Sequence, residues 1–171
     1  MTEPVNDPLY WKQCLVVAEE RHHAVFKCDK AHWSEVEESH RKILQATILP
    51  NESVLDGGCA WGRLLKLLPK DWTGDYLGVD LSPDFIDLAR KENPGRTFIV
   101  GDLRAIPAHS QTYDWAILIS IRPMVIRNLN EVEWKKMEDE LKRVARKILY
   151  LEYDAPPTLD VLNNFNYSRS N

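Results

Sequence analysis

The sequence predicts an α/β protein built on a doubly wound, mostly parallel sheet, and three observations carry that expectation. Short apolar runs alternate with segments of helical periodicity along the chain, and strands that alternate with helices form parallel sheets through right-handed crossovers. One run, Tyr113 to Ser120, is apolar almost throughout (Trp115, Ala116, Ile117, Leu118, Ile119), which suits a central strand covered on both faces. The stretch Val54-Leu55-Asp56-Gly57-Gly58-Cys59-Ala60-Trp61-Gly62-Arg63-Leu64 reads as strand, glycine turn and helix start, a unit whose unpaired backbone N–H groups can face a ligand.

Composition bounds the function. The 171 residues suit a single domain over 1–171, with an N-terminal helical or lid segment (1–33), a core (34–153) and a C-terminal tail (154–171). A net charge of −4 argues against a general binder of nucleic acid or of anionic membranes. No apolar run approaches the roughly 20 residues of a membrane span. Cys14, Cys28 and Cys59 cannot all pair with one another, so a reduced, cytoplasmic setting is the simplest expectation.

In chain order, Leu9 to Glu20 reads as a short helix. Residues 9–32 carry Tyr10, Trp11, Arg21, His22, His23 and Phe26, groups able to stack on or hydrogen-bond a small molecule. A cover over the site is one reading; a solvated amphipathic helix is the other. The spacing of Cys14, His22, His23, Cys28 and His32 matches no zinc pattern, and adjacent histidines on a helix point apart, so no metal is expected. Ser34-Glu35-Val36-Glu37 reads as a capping box, opening a helix to about Ile48 with Val36, His40, Ile43, Leu44 and Thr47 on one face.

The first strand is placed at Ser53 to Asp56, and a short helix at Leu64 to Leu68 stops near Pro69. Tyr76 to Asp80 is the second strand. Ser82 as N-cap, Pro83 at the first helical position and Asp84 in the first turn start the next helix, and Asn93-Pro94-Gly95 is a turn. Arg96 to Val100 is the third strand and Tyr113 to Ser120 the fourth. Asn130 caps a helix that runs to about Arg146 through Trp134, Met137, Leu141 and Val144. Ile148 to Tyr153 is the fifth strand, and Pro156-Pro157 breaks regular structure after it.

Ligands of such sheets bind beyond the carboxyl ends of the strands. Four strand ends carry marked chemistry: Asp56 with its glycines, Asp80, Asp102, and Ser120 to Arg122. Asp80, at the end of the second strand, is placed to accept from the hydroxyls of a ribose. A dinucleotide fingerprint requires glycines at i, i+2 and i+5; the register Gly57, Cys59, Gly62 lacks the middle one.

The register Asp56-x-Gly58-x-Ala60-x-Gly62 resembles motif I of class I S-adenosylmethionine (SAM) methyltransferases, usually D/E-x-G-x-G-x-G, and departs from it at Ala60. With YLGVDLSPDFIDLAR, FIVGDLRAIP and YDWAILIS following in order, residues 51–153 look like a small "type 11" methyltransferase domain. The resemblance implies a Rossmann-like sheet of strand order 3-2-1-4-5, with the C-terminal strand 6/7 hairpin shortened or absent. Strand five would then lie near an edge, which leaves a shortened sheet, a trimmed chain or a homodimer open.

The resemblance also implies SAM as the cofactor. Asp56, Gly57, Gly58, Cys59, Ala60 and Gly62 would hold its methionine portion, and Asp80 its ribose hydroxyls. Leu81 would lie against the adenine, Asp102 would accept from the adenine amino group and the Leu103 N–H would meet a ring nitrogen. Ser120 and Ile121 would lie near the sulfonium. The implied reaction is in-line transfer of the sulfonium methyl. The favoured acceptor is a small molecule, because no added recognition domain is evident and no Asn/Asp-Pro-Pro-Tyr/Phe motif follows strand four. The alternatives are a SAM-cleaving or SAM-rearranging enzyme and a non-catalytic SAM-binding subunit. His22 and His23 are candidate general bases by pKa range alone; Arg122 is a candidate for a substrate carboxylate or phosphate. On this reading Asp80→Ala weakens SAM at least about tenfold through lost charge-assisted hydrogen bonds and barely moves the melting temperature.

Overall fold

The computed structural model describes residues 5–18, 21–25 and 30–152. Among these residues the strands are β1 (Val54–Gly57), β2 (Tyr76–Asp80), β3 (Thr97–Val100), β4 (Tyr113–Ile119) and β5 (Ala145–Leu151). They lie in the order β3-β2-β1-β4-β5, and every pairing is parallel. Because side chains alternate across a strand, neighbouring residues enter opposite core layers. Val54, Trp115, Ile117 and Leu149 face the layer that holds Leu44, Ile86 and Phe98. Leu55, Ala116, Leu118 and Ile148 face the layer that holds Trp134, Met137 and Leu141. The sheet is therefore covered on both sides, as the apolar run of β4 predicts.

The helices are α1 (Pro8–Val17), α2 (Lys30–Thr47), α3 (Pro83–Glu92), α4 (Ile121–Asn128) and α5 (Glu131–Val144), with 3-10 turns at Arg21–Ala24 and Arg63–Lys66. The caps of α3 and α5 form as expected: Ser82 Oγ accepts from the Phe85 N–H, and Asn130 Oδ1 from the Glu133 N–H. The capping box does not. Helix α2 starts a turn earlier, at Lys30, and Ser34 Oγ donates to the Lys30 carbonyl at 2.9 Å, the back-bonding that a serine makes inside a helix. The short helix expected at Leu64 to Leu68 is a 3-10 turn. Helix α5 stops at Val144 because Ala145 already pairs with Tyr113, so β5 starts earlier than expected.

Helix α4 has no counterpart in the sequence reading. It begins at Ser120, whose φ of 54° turns the chain sharply off β4, and Pro123 fits its first turn, where no N–H is needed. Residues 154–171, the expected tail, and Phe26 and Cys28 lie outside the described residues. Among the described residues, no helix is long and apolar enough to cross a membrane, and no group of His, Cys, Asp and Glu has the makings of a metal site.

Candidate functional site

The parallel order brings the carboxyl ends of β1, β2, β3 and β4 to one edge of the sheet, and a cavity opens there. Its floor is the turn after β1. Gly58 (φ 70°), Ala60 (φ 47°) and Gly62 (φ 77°) all adopt the left-handed conformation, which costs an L-residue with a Cβ about 1–2 kcal/mol. The Gly58 and Cys59 N–H groups both donate to the Val79 carbonyl, at 2.8 and 3.1 Å, fastening the turn to β2. A Cβ on Gly58 would lie 2.4 Å from Ile121 Cδ1, so this glycine keeps the gap between the turn and the start of α4 open. Ala60, the departure from the motif, buries its methyl in an apolar cluster with Trp33, Trp61 and Phe85.

Three aspartates stand at three strand ends. Asp56 is buried, and its Oδ2 accepts from the Tyr76 hydroxyl at 2.6 Å. Burial pushes its carboxyl up to about 7, against the downward pull of the Tyr76 hydrogen bond and the Arg63 charge. Asp80 accepts from the Ala60 N–H through Oδ2 and from the Ser82 N–H through Oδ1, each at 2.9 Å; burial raises its carboxyl, and those N–H groups oppose the rise. Asp102 is held by Arg104, whose hydrogen bonds keep its carboxyl below the usual range. Burial, reinforced by the Asp56 and Asp80 charges, raises the Cys59 thiol, so Cys59 is a packed thiol, unsuited to act as a thiolate nucleophile.

The cavity is lined by Asp56, Gly58, Cys59 and Ala60 after β1, Asp80 and Leu81 after β2, Asp102 and Leu103 after β3, and Ser120 and Ile121 after β4. Of the residues the sequence assigns to the cofactor, only Gly57 and Gly62 do not line it. A Cβ on Gly57 would meet Leu103 and Leu118 in the core, and one on Gly62 would meet Phe98 and Asn93; both shape the turn. The proposed bases are elsewhere. His22 is buried and stacked on Trp33 at 4.9 Å, with His23 edge-on to it, and neither lines the cavity. Arg122 is exposed, with its guanidinium 6.0 Å from the Trp134 ring, and is also outside the lining.

The structure adds residues that sequence reasoning missed. Arg63 is buried in the cavity wall, 3.3 Å from Glu37 and over the Trp33 ring at 4.8 Å; its place directly after Gly62 was the only available signal. Val5, Asn6 and Val25 also line the cavity, together with Trp11, which the sequence reading names among the groups able to stack on a small molecule. Trp11 Nε1 donates to the Val5 carbonyl at 2.9 Å, and Lys12 pairs with Asp84 at 3.3 Å on α3.

With this geometry in place, comparison defines the class. Residues 54–147 match the Methyltransferase domain family; that is more than half of the chain, and the chain belongs to this family. A solved protein of Pyrococcus horikoshii is similar at 26% identity and a TM-score of 0.62, over 78% of this chain and 66% of that one. A SAM-dependent methyltransferase of Methanosarcina mazei shares the fold at 20% identity and a TM-score of 0.52, over 61% of this chain and 54% of that one. A TehB-like SAM-dependent methyltransferase of Corynebacterium glutamicum does so at 21% identity and 0.54, over 70% and 68%. The chain thus spans little more than half to about two thirds of these solved proteins. No curated protein matches it.

The family implies SAM as the cofactor, and the residues present fit it. Gly58 leaves room for a ligand against the turn's backbone. The Asp80 carboxylate offers about four lone-pair sites, more than its backbone N–H partners Ala60, Ser82 and Leu81 use, and so can accept from a hydroxyl. Leu81 and Leu103 supply apolar wall beside Asp102.

Proposed function

We propose that this domain is a SAM-dependent methyltransferase acting on a small-molecule acceptor by in-line displacement. The observation that carries the reading is the cavity lined jointly by the left-handed turn, by Asp80 and by the Asp102–Leu103 edge. In this reading the Gly58–Ala60 backbone holds the methionine portion, Asp80 the ribose hydroxyls and Leu81, Asp102 and Leu103 the adenine. Ser120 and Ile121 flank the reacting centre. The cofactor supplies a methyl group on a positively charged sulfur, and the chain contributes alignment and the exclusion of water.

Val5, Asn6, Trp11 and Val25 support a covering role for the N-terminal segment, because all four line the cavity while α1 rests on α3. Among the described residues β5 is the last strand of the sheet, and an edge strand needs pairing or protection, which supports a homodimer through that edge; light scattering of the purified protein tests it.

The test of the activity is transfer from methyl-labelled SAM to the small-molecule fraction of a cell extract. Label in that fraction supports the reading. SAM consumed without transfer would favour cleavage or rearrangement, and SAM bound but unchanged a non-catalytic subunit. No binding of SAM refutes the cofactor assignment altogether.

A further inference from the structure

Arg104 is a heavily engaged cation beside the cavity, and no part of the proposed function uses it. It stands two residues after Asp102 at the end of β3. Its Nε lies 3.0 Å from each Asp102 oxygen, its Nη2 lies 2.5 Å from Oδ2, and its own backbone N–H donates to Oδ1 at 2.8 Å. From the far side the guanidinium is held by Glu133 of α5, which also pairs with Lys136 at 2.6 Å. Nη2 reaches Asn6 Oδ1 at 3.2 Å.

This arrangement leaves Asp102 with a defined capacity. A carboxylate offers about four lone-pair sites and, while ionised, can only accept. The donors around it supply three protons: the backbone N–H, the Nε–H shared between both oxygens, and one from Nη2. One site remains. Asp102 is half-buried and lines the cavity beside Gly101 and Leu103, with Val125, Leu129 and Met137 forming apolar wall in the same cavity. A planar fork fixes a carboxylate in orientation as well as in charge, which a lysine ammonium does not.

We propose that Arg104 is a positioning residue for base selectivity: it pins Asp102 so that its one remaining lone-pair site selects a purine bearing an exocyclic amino group. Arg104 itself touches no ligand. The inference rests on the cofactor reading under the proposed function and deepens it, by assigning the selectivity to a residue outside the cavity lining. A site built to receive a hydrogen-bond donor discriminates strongly against an analogue that lacks it. Without the fork, Asp102 is free to turn or to bind water, and the discrimination falls.

The test is calorimetric titration with three ligands: S-adenosylhomocysteine, its 6-deamino purine analogue, and S-ribosylhomocysteine, which has no base. The proteins are wild type, Arg104→Met and Arg104→Lys. Wild type is expected to prefer the adenosyl ligand over the deamino analogue by at least about tenfold, as a hydrogen bond to a charged acceptor allows. Arg104→Met, which keeps the aliphatic stem, should reduce that preference at least about fivefold and leave S-ribosylhomocysteine affinity unchanged. Arg104→Lys should fall between the two and keeps the test available if the methionine variant does not fold. A preference unchanged in either folded variant overturns the inference, as does a loss of affinity equal for all three ligands, which would make Arg104 only a brace. Equal binding of the adenosyl and deamino ligands by wild type overturns it while leaving SAM binding intact. Failure of wild type to bind any of the three removes the cofactor reading and this inference together.

Discussion

Replacing Asp80 separates the carboxylate's two jobs, and the structure alters what the sequence alone leads one to expect. Asp80→Ala removes the proposed ribose acceptor, but it also removes the acceptor of the Ala60 and Ser82 N–H groups. Hydrogen bonds to a charged group are worth about 1.5–3 kcal/mol each, and a buried donor left unpaired costs about 1–3 kcal/mol. Against that stands relief from keeping a carboxylate in a buried site, the burden that raises its pKa. A net loss of about 2–4 kcal/mol follows, and at about 2–4 °C per kcal/mol for a domain of this size the melting temperature of the ligand-free protein should fall by about 5–15 °C. Asp80→Asn keeps a carbonyl for one of the two N–H groups and should fall between. Scanning calorimetry reads the stability, and titration with S-adenosylhomocysteine reads the affinity, which should drop at least about tenfold in the alanine variant. An unchanged melting temperature would mean that the turn does not depend on Asp80, and the bracing assigned to its two oxygens would be wrong.

Other outcomes are expected from the same geometry. Asp56 holds a proton in the folded state up to about pH 7, whereas its ordinary value is 3.8; its stabilising contribution is therefore complete below the ordinary value and declines as pH rises through 7, by at most about 4 kcal/mol at 1.36 kcal/mol per unit. Affinity for the positively charged cofactor should move the opposite way and rise with pH up to about 7; denaturant melts and titrations at matched pH measure both, and parallel trends would contradict the assignment. Tyr76→Phe removes a hydrogen bond that favours the ionised carboxylate, so the midpoint of the affinity profile should shift to higher pH. Gly58→Ala places a Cβ at φ 70° and 2.4 Å from Ile121 Cδ1, which should cost about 1–2 kcal/mol of stability and weaken cofactor binding as Ile121 turns; unaltered binding would remove Gly58 from the cradle. Hydrogen exchange in α1 should slow when the cofactor binds, and an unchanged rate there would reduce the N-terminal segment to a fixed wall.

The sheet was legible because its signals are local. Apolar runs mark β1, β2 and β4, and Ser82-Pro83-Asp84 marks the start of α3, all within a few residues. Contacts between distant segments were not legible. Arg63 meets Glu37 and Trp33 across the fold, and no spacing in the sequence announces that. The capping box at Ser34 misled because a serine inside a helix can bond backward as readily as it caps. His22 and His23 were attractive by residue type, but the 3-10 turn that carries them directs His22 against Trp33. Helix α4 escaped because its start depends on the left-handed Ser120, a non-glycine in a conformation that sequence patterns do not signal.

The three aspartates show why residue identity at a strand end does not by itself define a binding role. Asp56 is buried against a tyrosine hydroxyl and holds its proton toward neutral pH. Asp80 is also buried, yet the backbone N–H groups of Ser82, Ala60 and Leu81 offset part of the desolvation. Asp102 is the most open to an ion pair and is the one held by a guanidinium. A ligand that combines a positive charge, a pair of hydroxyls and an amino group meets a different kind of acceptor at each end. Asp56 gains most from a cation, because ionising it in a buried site needs a compensating charge. Asp80 suits neutral donors, because its oxygens are already oriented. Asp102 suits a single N–H, because Arg104 leaves it little more to offer. Exchanging partners, rather than the aspartates themselves, should therefore alter which ligands the cavity accepts.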